Sequence, residues 1–73
     1  MNYAHNLRDL REDKELYQKD IAKLLNTSQS YYAQYENSKS PLPIEHLITL
    51  CKFYGVSADY ILGLPKGLKY PQR

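Results

Sequence analysis

The chain predicts an all-α fold of five short helices, and three observations carry the prediction. Apolar residues recur at helical spacing in successive short segments; residues suited to capping and stopping helices fall between those segments; and 73 residues leave room for one small domain. The expected domain is 1–64. Residues 65–73 are expected to form a flexible basic C-terminal tail, because they hold two prolines and three basic residues and have little to pack.

The first helix is expected over about His5 to Lys14, with Leu7 and Leu10 inward. The second is the pattern Gln18-Lys-Asp-Ile-Ala-Lys-Leu-Leu, which sets Ile21, Ala22, Leu24 and Leu25 near one side while Lys19, Asp20 and Lys23 point elsewhere. Asn26 and Thr27 form a small polar break. Ser28 then offers a hydroxyl to the free N–H groups of the next turn, so a third helix begins at Gln29 and ends near Glu36. The stretch after Glu36 reads as loop up to Pro43, which fits the first turn of a fourth helix, where its missing N–H costs nothing. That helix should turn Ile44, Leu47, Leu50, Cys51 and Tyr54 inward and end at Gly55, a residue able to take the left-handed cap. Ser57 caps a fifth helix that runs to about Leu62, stops at Gly63, and packs Tyr60 and Ile61 or Leu62 onto the bundle.

The third helix carries the functional signal. Advancing about 100° per residue from Gln29, Ser30, Ala33, Gln34 and Asn37 share an arc with Gln29, while Tyr31, Tyr32, Tyr35 and Glu36 fall on the other. One arc is aromatic; the other is amide, hydroxyl and methyl. Gln and Asn present a donor and an acceptor in a plane that matches the major-groove edge of adenine, Ser can bond several base edges, and an Ala methyl can touch a thymine methyl. Two short helices around a tight turn, the second with such a face, form a helix-turn-helix suited to double-stranded DNA. The plain alternative is an ordinary solvated surface, and the residue types of one helix do not exclude it.

Several blocks in order narrow the choice: Leu7-Arg-x-Leu-Arg-Glu-x-Lys, Gln18-x-x-Ile-Ala-x-Leu-Leu, Ser28-Gln-Ser, Tyr35-Glu-Asn, Pro41, and Leu47-x-x-Leu-Cys-x-Phe-Tyr-Gly-Val-Ser-x-Asp-Tyr-Ile-Leu-Gly. From about Leu7 to Gly63 the chain resembles the lambda-repressor and Cro-like helix-turn-helix regulators, the xenobiotic-response-element (XRE) family. The resemblance implies a compact five-helix lambda-repressor-like fold with the helix-turn-helix at helices two and three. It implies a cytoplasmic transcriptional regulator, expected to be a repressor, that reads an inverted-repeat operator in the major groove as a homodimer. Base reading would fall to Gln29, Ser30, Ala33 and Gln34, and backbone contacts to Gln18, Lys19, Tyr31, Asn37, Lys39 and Ser40. Gln18 would also brace Gln29, as its family counterpart braces the first residue of the recognition helix. An ion pair between Arg11 and Glu36 would tie the third helix to the first. The dimer surface is expected near the fifth helix, with Tyr60, Leu62, Leu64 and the tail, where apolar residues remain beyond the core.

Three positions depart from the family pattern. Tyr17 stands where a capping Ser or Thr is usual, and a Tyr cannot make that local bond, which predicts a less sharp start to the second helix. Asn26 replaces a common Gly and still tolerates positive φ. Ser38 replaces another, and serine adopts positive φ less readily, which puts the loop carrying Lys39 in question.

Composition fits this picture without demanding it. Ten basic and eight acidic residues give a net charge of +2, which permits a polyanionic partner. Asp9, Glu12, Asp13 and Glu15 crowd the first helix, which should therefore face away from phosphates. A single cysteine excludes an internal disulfide, and Cys51 with the distant His5 and His46 offers no metal-ligand spacing, so neither metal nor cofactor is expected. Both histidines are expected at the surface. No apolar stretch has the length of a membrane span. An enzyme is disfavoured, for the chain has no Ser/His/Asp set, no suitably placed carboxylate pair and no Gly-rich phosphate loop. A second function class is compatible with the fold: an antitoxin-like or adaptor module that binds an unidentified protein partner, with Tyr31 and Tyr35 as aromatic anchors.

Overall fold

Five helices follow one another in the computed structural model: α1 (Tyr3–Asp13), α2 (Gln18–Leu24), α3 (Gln29–Glu36), α4 (Ile44–Tyr54) and α5 (Ala58–Leu62). The structure describes residues 3–69 and residue 71, and among these there is no strand. Of the expected tail, Tyr70, Gln72 and Arg73 lie outside the described residues.

Local chemistry sets the boundaries. Helix α1 begins two residues before the expected His5, because Ala4 is buried and the Tyr3 hydroxyl accepts from the Leu42 N–H at 2.7 Å, which ties the start of the chain to the loop before α4. Helix α2 begins cleanly despite Tyr17, contrary to the expected soft start. Its third residue, Asp20, accepts from the Tyr17 N–H at 2.8 Å and so supplies the reciprocal half of a capping box. Ser28 and Ser57 cap α3 and α5 by accepting from Tyr31 N and Tyr60 N, and Gly55 closes α4 in the left-handed region at φ 68°. Asn26 and Ser38 both adopt positive φ, 57° and 59°, so the turn survives and serine takes up the geometry that its side chain disfavours.

The core forms where the inner arcs meet, around Leu7, Ile21, Leu25, Tyr32, Leu50 and Ile61. Three apolar residues expected inward are not. Ile44 is 72% exposed, since it is the first residue of α4 and the inner arc of that helix runs through Leu47, Leu50, Cys51 and Tyr54. Leu24 stands at the edge of the α2 stripe, on the far side of Ile21 from Ala22, and is exposed. Tyr60 is 55% exposed, because the one-turn α5 aims Ile61 at the core instead.

A buried ion pair fixes α3 relative to α1 and α2. The Glu36 side chain has no exposed surface, and Arg11 meets it with two parallel bonds, Nε to Oε2 at 2.8 Å and Nη2 to Oε1 at 3.0 Å. Gln18 adds a third donor, Nε2 to Oε1 at 3.2 Å. Arg11 also donates from Nη1 to the Leu16 carbonyl at 2.8 Å, so one guanidinium holds the α1–α2 turn and the end of α3 together. Burial by itself would push the Glu36 carboxyl up; the bonds from Arg11 and Gln18 and the charge of Arg11 outweigh it and hold the carboxyl below its ordinary range.

Two outcomes are expected. Leu50→Ala should cost about 2–5 kcal/mol in denaturant unfolding, whereas Ile44→Ala should stay within about 0.5 kcal/mol; equal costs would contradict the packing. The lowered Glu36 carboxyl contributes stability that is full at neutral pH and is lost as pH falls below the ordinary carboxyl value of 4.5 toward the folded-state one. Glu36→Gln should therefore destabilise at pH 7, with the gap to wild type narrowing on acidification. A gap that stays constant from pH 7 to pH 3 would remove the role of the charge.

Candidate nucleic-acid interface

Helix α3 is only eight residues long, too short to persist in water alone, so its orientation rests on its inner side. Tyr32 and Tyr35 are buried there with their rings edge to face, centroids 6.0 Å apart, and Glu36 closes the last turn. With large apolar side chains consumed inward, the outer side can consist of small polar groups.

Gln29 and Ser30 are exposed at the start of the helix, and Ala33 and Gln34 sit half-buried one turn later. All four lie on the outward arc. Ser30 Oγ is 3.4 Å from the capping Ser28 Oγ. Tyr31, expected beside the groove, is 54% exposed, and its ring tilts against Tyr35 with centroids 6.1 Å apart. Lys19 is exposed near the start of α2 and stands 5.6 Å over the ring of the exposed Tyr17. Gln18, expected to brace Gln29, donates its amide N–H to the buried Glu36 carboxylate.

The loop after α3 is held from two directions. Its backbone returns to the helix through Lys39 N and Ser40 N, which donate to the Gln34 carbonyl at 2.9 and 3.3 Å. The Ser40 hydroxyl donates to Gln34 Oε1 at 2.7 Å. From the other side, Arg8 Nη2 donates to the Glu36 carbonyl at 3.4 Å and to Asn37 Oδ1 at 3.5 Å, with Nε 3.8 Å from Glu36 Oε1. A cation at the C-terminal end of a helix offsets its partial negative charge and its unpaired carbonyls. Lys39 is exposed on this loop.

Arg8 was not singled out from the sequence, although its spacing of three from Arg11 places both guanidinium groups on one face of α1 and so in reach of the same carboxylate. The engagement of Gln34 by Ser40 had no sequence signal at all, since it depends on the path of the loop. Elsewhere, His5 pairs with Asp9 at 3.0 Å and is exposed, while His46 is half-buried with its ring 6.1 Å from Tyr35. Among the described residues no group of three or more His, Cys, Asp or Glu is placed to hold a metal ion, and no helix is long and apolar enough to cross a membrane.

Comparison with known proteins agrees with this geometry. A family model described as helix-turn-helix matches residues 7–61. The chain is 37% identical over 62 residues to YobD of Bacillus subtilis, named an uncharacterized HTH-type transcriptional regulator, covering 85% of this chain and 55% of that protein. It is 32% identical over 54 residues to RstR of Vibrio cholerae, a cryptic phage CTXphi transcriptional repressor, covering 74% of this chain and 49% of that one. The chain thus spans about half the length of these relatives. Among solved structures, a transcriptional regulator from Listeria innocua superposes with a TM-score of 0.83 at 29% identity, over 94% of this chain and 64% of that chain. The restriction-modification controller protein C.AhdI from Aeromonas hydrophila shares the fold, with a TM-score of 0.71 at 22% identity over 81% of this chain and 86% of that one. Motif order, five-helix architecture and these matches agree: the chain belongs to the XRE-type helix-turn-helix family.

Proposed function

We propose that the chain is a transcriptional repressor that binds an inverted-repeat operator as a homodimer, with α3 lying in the major groove of each half-site. The observation that carries this reading is the outward face of α3, where Gln29, Ser30, Ala33 and Gln34 are presented by a helix whose orientation is locked by the buried Arg11–Glu36 pair. The names of YobD and RstR support it. Gln29, Ser30, Ala33 and Gln34 read bases; Gln18, Lys19, Tyr31, Asn37, Lys39 and Ser40 flank the groove on the phosphate backbone, with Lys39 the cationic anchor. One domain with a few base contacts, each worth about 1–3 kcal/mol of discrimination, gives limited specificity, so a second copy is needed. Paired recognition helices then sit about 34 Å apart, one turn of duplex. The proposed dimer surface comprises α5 and the segment after it, with Tyr60, Leu62, Leu64 and the tail; the exposure of Tyr60 and Leu68 supports it.

The second reading, a protein-binding module, draws support from Ile44 and Ile48, which stand exposed one turn apart on α4 with Phe53 exposed near its end. It loses one proposed anchor, because Tyr35 is buried.

Selection of enriched sequences from random duplexes tests the proposal. Wild type should enrich a palindrome, and Gln29→Ala should erase preference at one position of each half-site. Lys39→Ala should weaken binding to all duplexes alike and lower the slope of log affinity against log salt by about one. No enrichment by wild type at low salt would transfer the assignment to the protein-binding module.

A further inference from the structure

Two arginines approach the buried Glu36 carboxylate, and one of them suffices to neutralise it. Arg11 meets it with two parallel bonds at 2.8 and 3.0 Å. Arg8 therefore brings a positive charge that this carboxylate does not need. Its Nε stands 3.8 Å from Glu36 Oε1, its Nη2 makes long bonds of 3.4 and 3.5 Å to the Glu36 carbonyl and to Asn37 Oδ1, and its side chain is 44% exposed. Bonds from one nitrogen leave the other N–H groups of the guanidinium for an acceptor outside the chain.

Those groups border a hollow. Arg8 lines a pocket of about 320 Å³ with His5, Glu36, Asn37 and Ser38, where α1 meets the turn that closes α3. Among the described residues no acidic side chain opens into it. The Glu36 carboxylate has no exposed surface, and Asp9 and Glu12, the acids nearest Arg8 along α1, are not part of its walls, Asp9 being paired with His5 at 3.0 Å. A polar hollow with a surplus arginine suits an anion, and the planar fork of its donors suits the oxygens of a phosphate. Asn37, to which Arg8 is bonded, begins the loop that the proposed function sets along the duplex backbone.

We infer that this pocket is a phosphate site with Arg8 as its cation, through which one edge of α1 holds the duplex backbone beside the end of α3. This rests on the reading of α3 as the recognition helix. The acids that crowd α1 do not oppose it, since Arg8 lies on the side of α1 that is bonded to α3.

The test is affinity for a random and an enriched duplex across a salt series, with wild type, Arg8→Gln, Arg8→Lys and, as a control at an exposed lysine of α4, Lys52→Gln, thermal midpoints being compared first. Arg8→Gln removes the charge and keeps an amide donor for the end of α3. It should weaken both duplexes alike and lower the slope of log affinity against log salt by about 0.9, while Arg8→Lys and Lys52→Gln keep the wild-type slope. Inorganic phosphate at constant ionic strength, followed on the Arg8 Nε–H and on the Asn37 and Ser38 amides of the labelled protein, tests the other source of the anion. Movement of these signals with an unchanged slope in Arg8→Gln would assign the site to free phosphate. An unchanged slope together with unmoved signals would overturn the inference, as would a loss confined to the enriched duplex, which a merely structural cap on α3 would give. Salt-dependent duplex binding in either case leaves the proposed function standing. A wild type that binds no duplex while phosphate moves these signals removes that function and leaves the pocket.

Discussion

A carboxylate stripped of water at the C-terminal end of a helix is an unfavourable arrangement, because the last carbonyls and the helix dipole already concentrate negative charge there. Glu36 occupies that position with no exposed side-chain surface, and the fold is arranged around its compensation. Arg11 brings a planar fork from α1, Gln18 brings an amide from the first residue of α2, and Arg8 reaches the carbonyl that α3 leaves open. Three side chains from two helices, α1 and α2, converge on one residue of α3. The pair need not raise net stability over an apolar equivalent, but breaking it would leave a buried charge alone, so a low-energy arrangement is one in which α1 and α2 are both in place around Glu36. The interaction specifies the orientation of α3, which eight residues cannot set alone.

The same division of labour explains how α3 can present so polar a surface. Tyr32 and Tyr35 supply large buried area from two positions, which frees the outward positions from packing. The loop that follows is built onto the helix through Gln34 and pinned to α1 by Arg8 and Tyr3. Exposed groups that would otherwise move independently are therefore carried on one rigid unit. Preorganisation of this kind lowers the ordering cost of binding.

Much of this was legible in the residues. Helical spacing, the serine caps and the glycine stops located all five helices to within two residues, because those signals are local. Block order pointed to the pairing of Arg11 with Glu36, which local chemistry could not. What stayed hidden depends on tertiary context. The apolar Ile44 fits an inward stripe by spacing and is exposed because nothing covers the first turn of α4. Asp20 rescues the start of α2 through a bond to Tyr17 N that a search for side-chain caps at Tyr17 overlooks. Gln18 donates to a buried carboxylate, and Gln34 is engaged by a residue six positions away through the path of a loop.

The most direct measurement is the change in backbone amide chemical shifts of the isotopically labelled protein as a DNA duplex is added at low salt. Shifts concentrated on residues 28–34 and on the loop 37–40, with α4 unmoved, are expected if the outward face of α3 meets the groove. Shifts centred on Ile44, Ile48 and Phe53, or none at saturating duplex, would contradict the assignment of α3 as the reading element.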